Sequence, residues 1–356
     1  MTSSVAPPRA LDLEFARATE HAALAAWRWF GRGDKNAADL AAVEALHRRF
    51  QTIDCQGLVR IGEGIKDNAP GIFTGDRVGR WHAHSTPAAI ALDPIDGTTL
   101  TAKGLPGAIS VLAAAICDSP DDDPAHMFPA ISSHYMQKLA VGPAVAACGL
   151  PIDLDAPLEA TLATIARALD KRVADLIAVV LDRPRHQHLV ENLRTLGCGI
   201  RLISDGDVVA AIAPSLPNSG VDLYVGIGGS PEAVISAAAI KGLGGEQLCR
   251  VWANDDEGRA QPPGNGKHAI DDPERIWNVG EMACGDNIVF VATGISDASI
   301  LRGVRKHSQH WITHSLLVSS RTKAIRFVET YHEVAERPAA GPHFRDFEPL
   351  AATSLA

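Results

Sequence analysis

The run Asp93-Pro94-Ile95-Asp96-Gly97-Thr98-Thr99 sets two carboxylates three residues apart, stiffens the chain after the first with a proline, and ends in a glycine and two hydroxyls. Oxygen donors so spaced can hold hard divalent cations, while backbone N–H groups at a helix start can receive a phosphate. Glu63, in Gly62-Glu63-Gly64, lies thirty residues earlier and offers a further carboxylate. Three later runs mix charge with glycine or proline in the same way: Asp182-Arg183-Pro184-Arg185-His186, Ser204-Asp205-Gly206-Asp207 and Gly226-Ile227-Gly228-Gly229-Ser230-Pro231-Glu232. Each follows a short apolar stretch, and ligand sites in open α/β sheets gather at strand exits, so five polar exits imply one shared cleft. Any one of them alone also reads as a solvated turn, because Asp, Gly and Pro are ordinary turn residues.

Other chemistries find little support. Gly226 to Gly229 does not satisfy G-x-G-x-x-G and no G-x-x-x-x-G-K-[ST] occurs, which argues against a nicotinamide or P-loop nucleotide site. His186, His188 and His314 have no metal-ligand spacing and read as surface or hydrogen-bonded histidines. The six cysteines are scattered without a C-x-x-C pair, as small apolar residues or free thiols of a reducing compartment.

The elements that must position these residues follow from the apolar pattern. Leu13, Phe15, Ala16, Ala23, Leu24, Trp27 and Phe30 fall at helical spacing and stop at Gly31-Arg32-Gly33, which predicts an amphipathic helix over Leu11 to Phe30; a second covers Ala37 to Phe50. Beyond these, short β-rich runs (Gly57 to Ile61, Ala88 to Leu92, Ile109 to Ile116, Leu176 to Leu181, Ile200 to Ile203, Val221 to Ile227) alternate with helical stretches. That alternation predicts a layered α/β fold with an α+β first half and some antiparallel pairing. Asp118 to Pro129 and Asn254 to Glu274 read as surface excursions. A soft boundary near Leu150-Pro151 divides residues 1–150 from 151–336, and residues 337–356 read as a mobile tail.

At 356 residues and 46% hydrophobic composition the chain can bury a large core. A net charge of -9 without a block of Lys or Arg excludes a nucleic-acid-tracking surface. Met1 to Arg9 lacks a secretory pattern, and Gly107 to Cys117 is too short to cross a bilayer, so the expectation is a cytoplasmic protein that binds neither membrane nor nucleic acid.

On Gly62-Glu63 and the Asp93 run, the chain resembles the lithium-sensitive, metal-dependent phosphatase superfamily that includes inositol monophosphatases and fructose-1,6-bisphosphatases. Gly31-Arg32-Gly33-Asp34-Lys35-Asn36, Tyr135-Met136-Gln137-Lys138-Leu139 and the three later runs make it similar, more specifically, to the bacterial class II fructose-1,6-bisphosphatases, from about Leu11 to about His332. The resemblance implies a layered αβαβα sandwich with mixed sheets. It also implies a metal-binding first half, a substrate-binding second half, and a homo-oligomer, dimer or tetramer. The activity implied is removal of the 1-phosphate of fructose-1,6-bisphosphate by in-line attack of metal-activated water.

The resemblance further implies Asp39, Glu63, Asp93, Asp96 and Glu232 as ligands of Mg2+ or Mn2+, Thr98 and Asp67 as the proton-handling pair, and Lys35 beside the transferred phosphate. Around the rest of the substrate it implies Gly97, Thr98, Tyr135, Arg183, Arg185, Asp205, Asp207 and Gly229. Each has a plainer reading: Thr98 as a helix cap, Asp67 as a turn cap, Asp39 and Lys35 as solvated helix residues, the arginines as surface pairs, Tyr135 as core. Ile65 stands where relatives commonly carry an acid, and Asp96 replaces a Glu of some relatives. These departures keep open sedoheptulose-1,7-bisphosphate or a specialised sugar phosphate as substrate. An inositol-monophosphatase-like activity is the nearer rival, and a catalytically weak sugar-phosphate binding or regulatory protein the one from another class.

Overall fold

The computed structural model describes residues 11–62, 71–118, 122–131, 133–252 and 274–333. Its helices are α1 (Leu11–Trp27), α2 (Lys35–Phe50), α3 (Thr98–Lys103), α4 (Pro124–Met127), α5 (Pro143–Ala146), α6 (Leu158–Ala168), α7 (Gln187–Thr195), α8 (Asp207–Ile212), α9 (Ser230–Leu243) and α10 (Val279–Met282). A first sheet holds β1 (Cys55–Ile61), β2 (Arg77–Val78), β3 (Thr86–Asp96), β4 (Ile109–Ile116), β11 (Ile288–Gly294), β12 (Arg305–His307), β13 (His310–Ser319) and β14 (Ala324–Glu333). A second holds β5 (Tyr135–Val141), β6 (Ile177–Leu181), β7 (Gly199–Ile203), β8 (Leu223–Gly229), β9 (Glu246–Val251) and β10 (Ile276–Trp277).

Both sheets are mixed. In the first, with order β12-β13-β11-β4-β3-β1-β2 and β14 on β13, only β1 and β3 run parallel. In the second, β10-β9-β5-β8-β6-β7, β6 is parallel to both β7 and β8. The chain builds part of the first sheet, leaves to build the second, and returns with β11 to β14.

Side-chain alternation sorts the strands into layers. Ala88, Ile90 and Leu92 of β3 pack with Phe15, Ala22, Leu46 and Phe50 of α1 and α2. Ala89 and Ala91 point the other way, into a core shared with α8, α9 and the inner face of β5. On the far side of the second sheet, Leu139, Val180 and Leu223 pack on Leu162 and Ile165 of α6 and Leu193 of α7. The result is a five-layer αβαβα sandwich, in which β4 is buried nearly throughout and therefore reads as an unbroken apolar run. α9, caught between two sheets, is buried nearly all round for the same reason.

The first helix stops at Trp27, three residues short of the expected Phe30, and the chain turns through Gly31 (φ +70°) and Gly33 (φ +81°). These glycines donate their N–H groups to Thr101 and Ala102 carbonyls of α3 at 2.9 and 2.8 Å, which straps the start of α2 to α3. Asp34 then caps α2 by accepting from Ala37 N at 2.9 Å, and His47, Arg48 and Arg49 lie in its last turn, where the helix dipole favours positive charge. Among the described residues no helix is long and apolar enough to cross a membrane, and the six cysteines are free.

Candidate active site

The Asp93 run does not leave the sheet at Leu92, as its turn-like composition suggested. β3 continues to Asp96, with Asp93 opposite Val111 and Asp96 opposite Ile109, so three steps on β3 match two on β4. This extra residue is a β-bulge, and Pro94 is tolerated because it sits in it. Asp93 Oδ1 accepts from Ile95 N at 3.0 Å, which fixes the bend. Gly97 follows at φ +98°, where a Cβ would come within 3.2 Å of Ala108 Cα, and α3 begins at Thr98. The Thr98 hydroxyl donates back to Ile95 O at 3.2 Å.

Asp96 is nearly inaccessible, and its Oδ2 accepts from Val208 N in the first turn of α8 at 3.2 Å. Burial raises its carboxyl well above the usual range, and the negative charges of Asp93, Asp207, Glu232 and Asp205 raise it further. The ends of three strands, β3, β7 and β8, thus deliver carboxylates to one place. Glu232, in the first turn of α9, is also raised, first by burial and then by Asp207, with Lys138 opposing. Its Oε2 is buried without a hydrogen-bond partner, as is Asp207 Oδ1.

The glycines of the Gly226 run lie inside β8 rather than beyond it, paired with Tyr135 to Lys138 of β5. What fills their missing side-chain space is protein. A Cβ on Gly228 would fall 1.8 Å from Asp207 Oδ2, and one on Gly229 would fall 1.8 Å from Glu232 Oε2. Gly229 N also donates to Asp207 Oδ2 at 3.1 Å. Asp207, which the resemblance sets among the residues around the substrate, is a buried residue whose Oδ2 receives Lys138 Nζ at 2.8 Å.

Lys138 is the residue that sequence reasoning passed over within a quoted motif. It is fully buried and faces inward with Met136 and Ala140, in a strand of otherwise apolar inner residues. A lysine at an inward strand position was the available signal, since buried Lys is rare unless paired.

On the other flank, the Arg185 guanidinium lies 4.7 Å from the Tyr135 ring centre and 6.0 Å from that of Trp252, and donates to Ile227 O at 3.2 Å. Tyr135 and Trp252 meet edge to face at 6.2 Å. Trp252, just past β9, carried no motif. Arg183 is half-buried, and it and Lys35 both act electrostatically on Asp205, whose carboxyl is raised by burial. His186 is buried: its Nδ1–H donates to Leu181 O at 2.6 Å and its Nε2 accepts from Ile227 N at 2.7 Å, which fixes a neutral ring with burial lowering its pKa.

The structure therefore gathers Asp93, Asp96, Asp205, Asp207 and Glu232 into one cluster, sets Arg183 and Lys35 within electrostatic reach of Asp205, and stacks Tyr135 against Arg185. Asp39 is half-buried on α2, one turn beyond exposed Lys35. Glu63 and Asp67, like Ile65, the Asn254 to Pro273 stretch and the 337–356 tail, lie outside the described residues. Among the described residues no group of three or more His, Cys, Asp or Glu closes a metal cage. The chemistry nonetheless suits a hard cation: the donors are oxygens, they repel one another, and Glu232 keeps a buried oxygen unpartnered.

The family model described as bacterial fructose-1,6-bisphosphatase, glpX-encoded, matches residues 9–332. A protein of Haemophilus influenzae named fructose-1,6-bisphosphatase class 2 is 39% identical over 334 residues, covering 91% of this chain and 96% of its own. A Synechococcus protein named D-fructose 1,6-bisphosphatase class 2/sedoheptulose 1,7-bisphosphatase is 37% identical over 345 residues, covering 90% of this chain and 95% of its own. Another Synechococcus strain has one of the same name at 36% identity.

Proposed function

This chain belongs to the glpX-encoded bacterial fructose-1,6-bisphosphatase family, and from that premise we propose that it hydrolyses the 1-phosphate of fructose-1,6-bisphosphate, giving fructose-6-phosphate and inorganic phosphate. The observation that carries this reading is the convergence of Asp93, Asp96 and Glu232 in one buried, mutually repelling cluster beside the start of α3. Asp93, Asp96 and Glu232, with Glu63 and Asp39, would hold the divalent cations, Mg2+ or Mn2+. Such ions neutralise phosphoryl oxygens and the leaving alkoxide.

The chain's own groups do the rest. Gly97 and Thr98 hold the transferred phosphoryl group at the turn into α3, with Lys35 adding positive charge. Thr98, oriented by its bond to Ile95 O, and Asp67 position the attacking water and take its proton. Arg183 and Arg185 clamp the second phosphate, the latter held over the Tyr135 ring, and Asp205 accepts from a sugar hydroxyl. Asp207 acts one step back, fixing Gly229 and β8 from inside.

A second substrate, sedoheptulose-1,7-bisphosphate, is favoured by the double names of the two Synechococcus relatives. The wider placement in the lithium-sensitive superfamily, a homo-oligomer and a cytoplasmic location belong to the same reading. The test is phosphate release from a panel of sugar mono- and bisphosphates and inositol phosphate with Mg2+ or Mn2+, comparing wild type with Asp93→Asn. Bisphosphate turnover lost in the variant supports the proposal. Preference for inositol phosphate, or binding without turnover, sinks it.

A further inference from the structure

Trp252 belongs to no sequence motif, yet it borders the group assigned to the second phosphate. It follows β9, and its N–H donates to Tyr135 O at 3.0 Å, which carries the antiparallel pairing of Met136 with Val251 one residue further. Tyr135 and Trp252 are therefore cross-strand neighbours on one face of the second sheet. On its other side Tyr135 is paired with Gly229, which has no side chain, so the directly opposite side chain that supports the tyrosine ring is that of Trp252.

The same face is held along its length. Two residues back on each strand, Arg250 donates to Gln137 Oε1 at 3.0 Å and to Asp155 Oδ1 at 2.6 Å. Leu139, one step further, packs into the core against α6 and α7. Trp252 thus stands at the end of a fixed row rather than on a loose loop.

The Arg185 guanidinium completes the arrangement. It arrives from the exit of β6, where His186 is bonded at both ring nitrogens, and lies 4.7 Å from the Tyr135 ring centre and 6.0 Å from that of Trp252. The first separation is well inside cation–π reach and the second is at its limit of about 6 Å. Trp252 accordingly acts on Arg185 chiefly through Tyr135. Its edge-to-face contact, at 6.2 Å and 81°, sets the tilt of the tyrosine ring, and that ring sets the plane of the guanidinium above it. The bond from Arg185 to Ile227 O, at 3.2 Å, anchors one nitrogen, and the rings fix the plane about it. A guanidinium held by its face keeps its N–H edge aimed, and bidentate recognition of a phosphate depends on that aim.

We propose that Trp252 is a positioning residue for the second phosphate of the substrate, holding Arg185 in plane through Tyr135. It bears on the phosphate that stays, not on the one transferred, so it governs how tightly a bisphosphate binds and leaves the chemical step alone. The inference rests on the assignment of Arg185 to the second phosphate and deepens it.

The test is steady-state kinetics of wild type, Trp252→Leu and Trp252→Phe with fructose-1,6-bisphosphate and with fructose-1-phosphate, which lacks the second phosphate. Leucine keeps apolar bulk without a ring; phenylalanine keeps a ring. Trp252→Leu is expected to raise KM for the bisphosphate about 5- to 10-fold with kcat within about twofold, and Trp252→Phe to recover most of that rise. The KM of fructose-1-phosphate, or its inhibition constant where it is not turned over, is expected to stay unchanged. In an Arg185→Lys background, which removes the planar group, Trp252→Leu is expected to shift KM by less than about twofold. A bisphosphate KM that Trp252→Leu leaves unaltered overturns the proposal, whether or not the variant melts earlier. An equal rise for both substrates, a rise that phenylalanine does not recover, or one undiminished in the Arg185→Lys background overturns it as well. A wild type that hydrolyses no sugar bisphosphate sinks the assigned activity and this inference with it, whereas wild-type turnover with any of the preceding results sinks this inference alone.

Discussion

Replacing Lys138 by methionine removes a fully buried ammonium while keeping its length and most of its volume. Its Nζ is 2.8 Å from Asp207 Oδ2, a separation at which Coulomb's law gives about 6 kcal/mol of attraction at an effective dielectric near 20. Desolvating each ion costs several kcal/mol, so the pair as a whole is worth little more than apolar residues of the same shape. Removing one partner is another matter. Asp207 is also buried, with Oδ1 already unpartnered and only Gly229 N, at 3.1 Å, and the Tyr224 hydroxyl, at 3.5 Å, near Oδ2. An uncompensated carboxylate there costs about 3–5 kcal/mol. Lys138→Met is therefore expected to lose that much in urea unfolding at neutral pH with chelator present, so that bound metal does not shift the equilibrium. Adding Asp207→Leu should restore at least about 2 kcal/mol, because it removes the stranded charge, with the orphaned Gly229 N–H preventing full recovery. A single variant within about 1 kcal/mol of wild type, or a double variant whose losses simply add, would refute the picture of a buried pair held by mutual need.

Two further outcomes follow from the same region and from α1. Gly229→Ala puts a Cβ where Glu232 Oε2 now lies, 1.8 Å away, so the carboxylate must swing aside; a stability loss of about 1–3 kcal/mol is expected in thermal unfolding, together with weaker Mn2+ binding by calorimetry, and unchanged Mn2+ affinity would contradict the assignment of Glu232. His21 and His332 are lowered by burial to about 4, and His186 is lowered by burial as well. His21 and His332 are neutral in the folded protein near pH 6 while the unfolded chain protonates them with a value near 6.5, so their contribution to stability is full above about 6.5 and falls as pH drops from there toward 4. Unfolding at pH 5.5 should take up protons, roughly 0.9 from each of His21 and His332, and an uptake that His332→Gln leaves unchanged would count against this account.

The elements visible in the sequence are those whose two faces meet the same environment or whose pattern is uninterrupted. β4 and β6 read as strands because helices cover both faces, and α2 because its apolar positions recur at helical spacing. β5 was visible only as a motif, because Gln137 and Lys138 interrupt its apolar run. α9 hid for the opposite reason, since burial all round erases the periodicity that identifies an amphipathic helix. β14 alternates, but its larger apolar residues Ile325, Phe327 and Tyr331 face outward, so a pattern that ordinarily points to a core lies here on an exposed face of the sheet.

At the site, residue types were legible and their partners were not. Asp93 and Asp96 announce oxygen chemistry by composition, yet the bulge that aims them depends on pairing with Val111 and Ile109, which no local signal encodes. Gly229 reads as room for a ligand because an empty Cβ position carries no label for what fills it; Glu232 occupies that space, as Asp207 occupies the space beside Gly228. The physical reason is general to this arrangement. A cluster of like charges is repulsive by itself, so it persists in the folded chain only where buried opposite charge, main-chain N–H groups or a cation answer it. Lys138 answers Asp207 at Oδ2, Val208 N answers Asp96, and the buried oxygens left unanswered in the cluster are Glu232 Oε2 and Asp207 Oδ1. Those unmet acceptors, beside carboxyls already held above their usual range by burial and by one another, are where the protein's electrostatics call for positive charge from outside the chain.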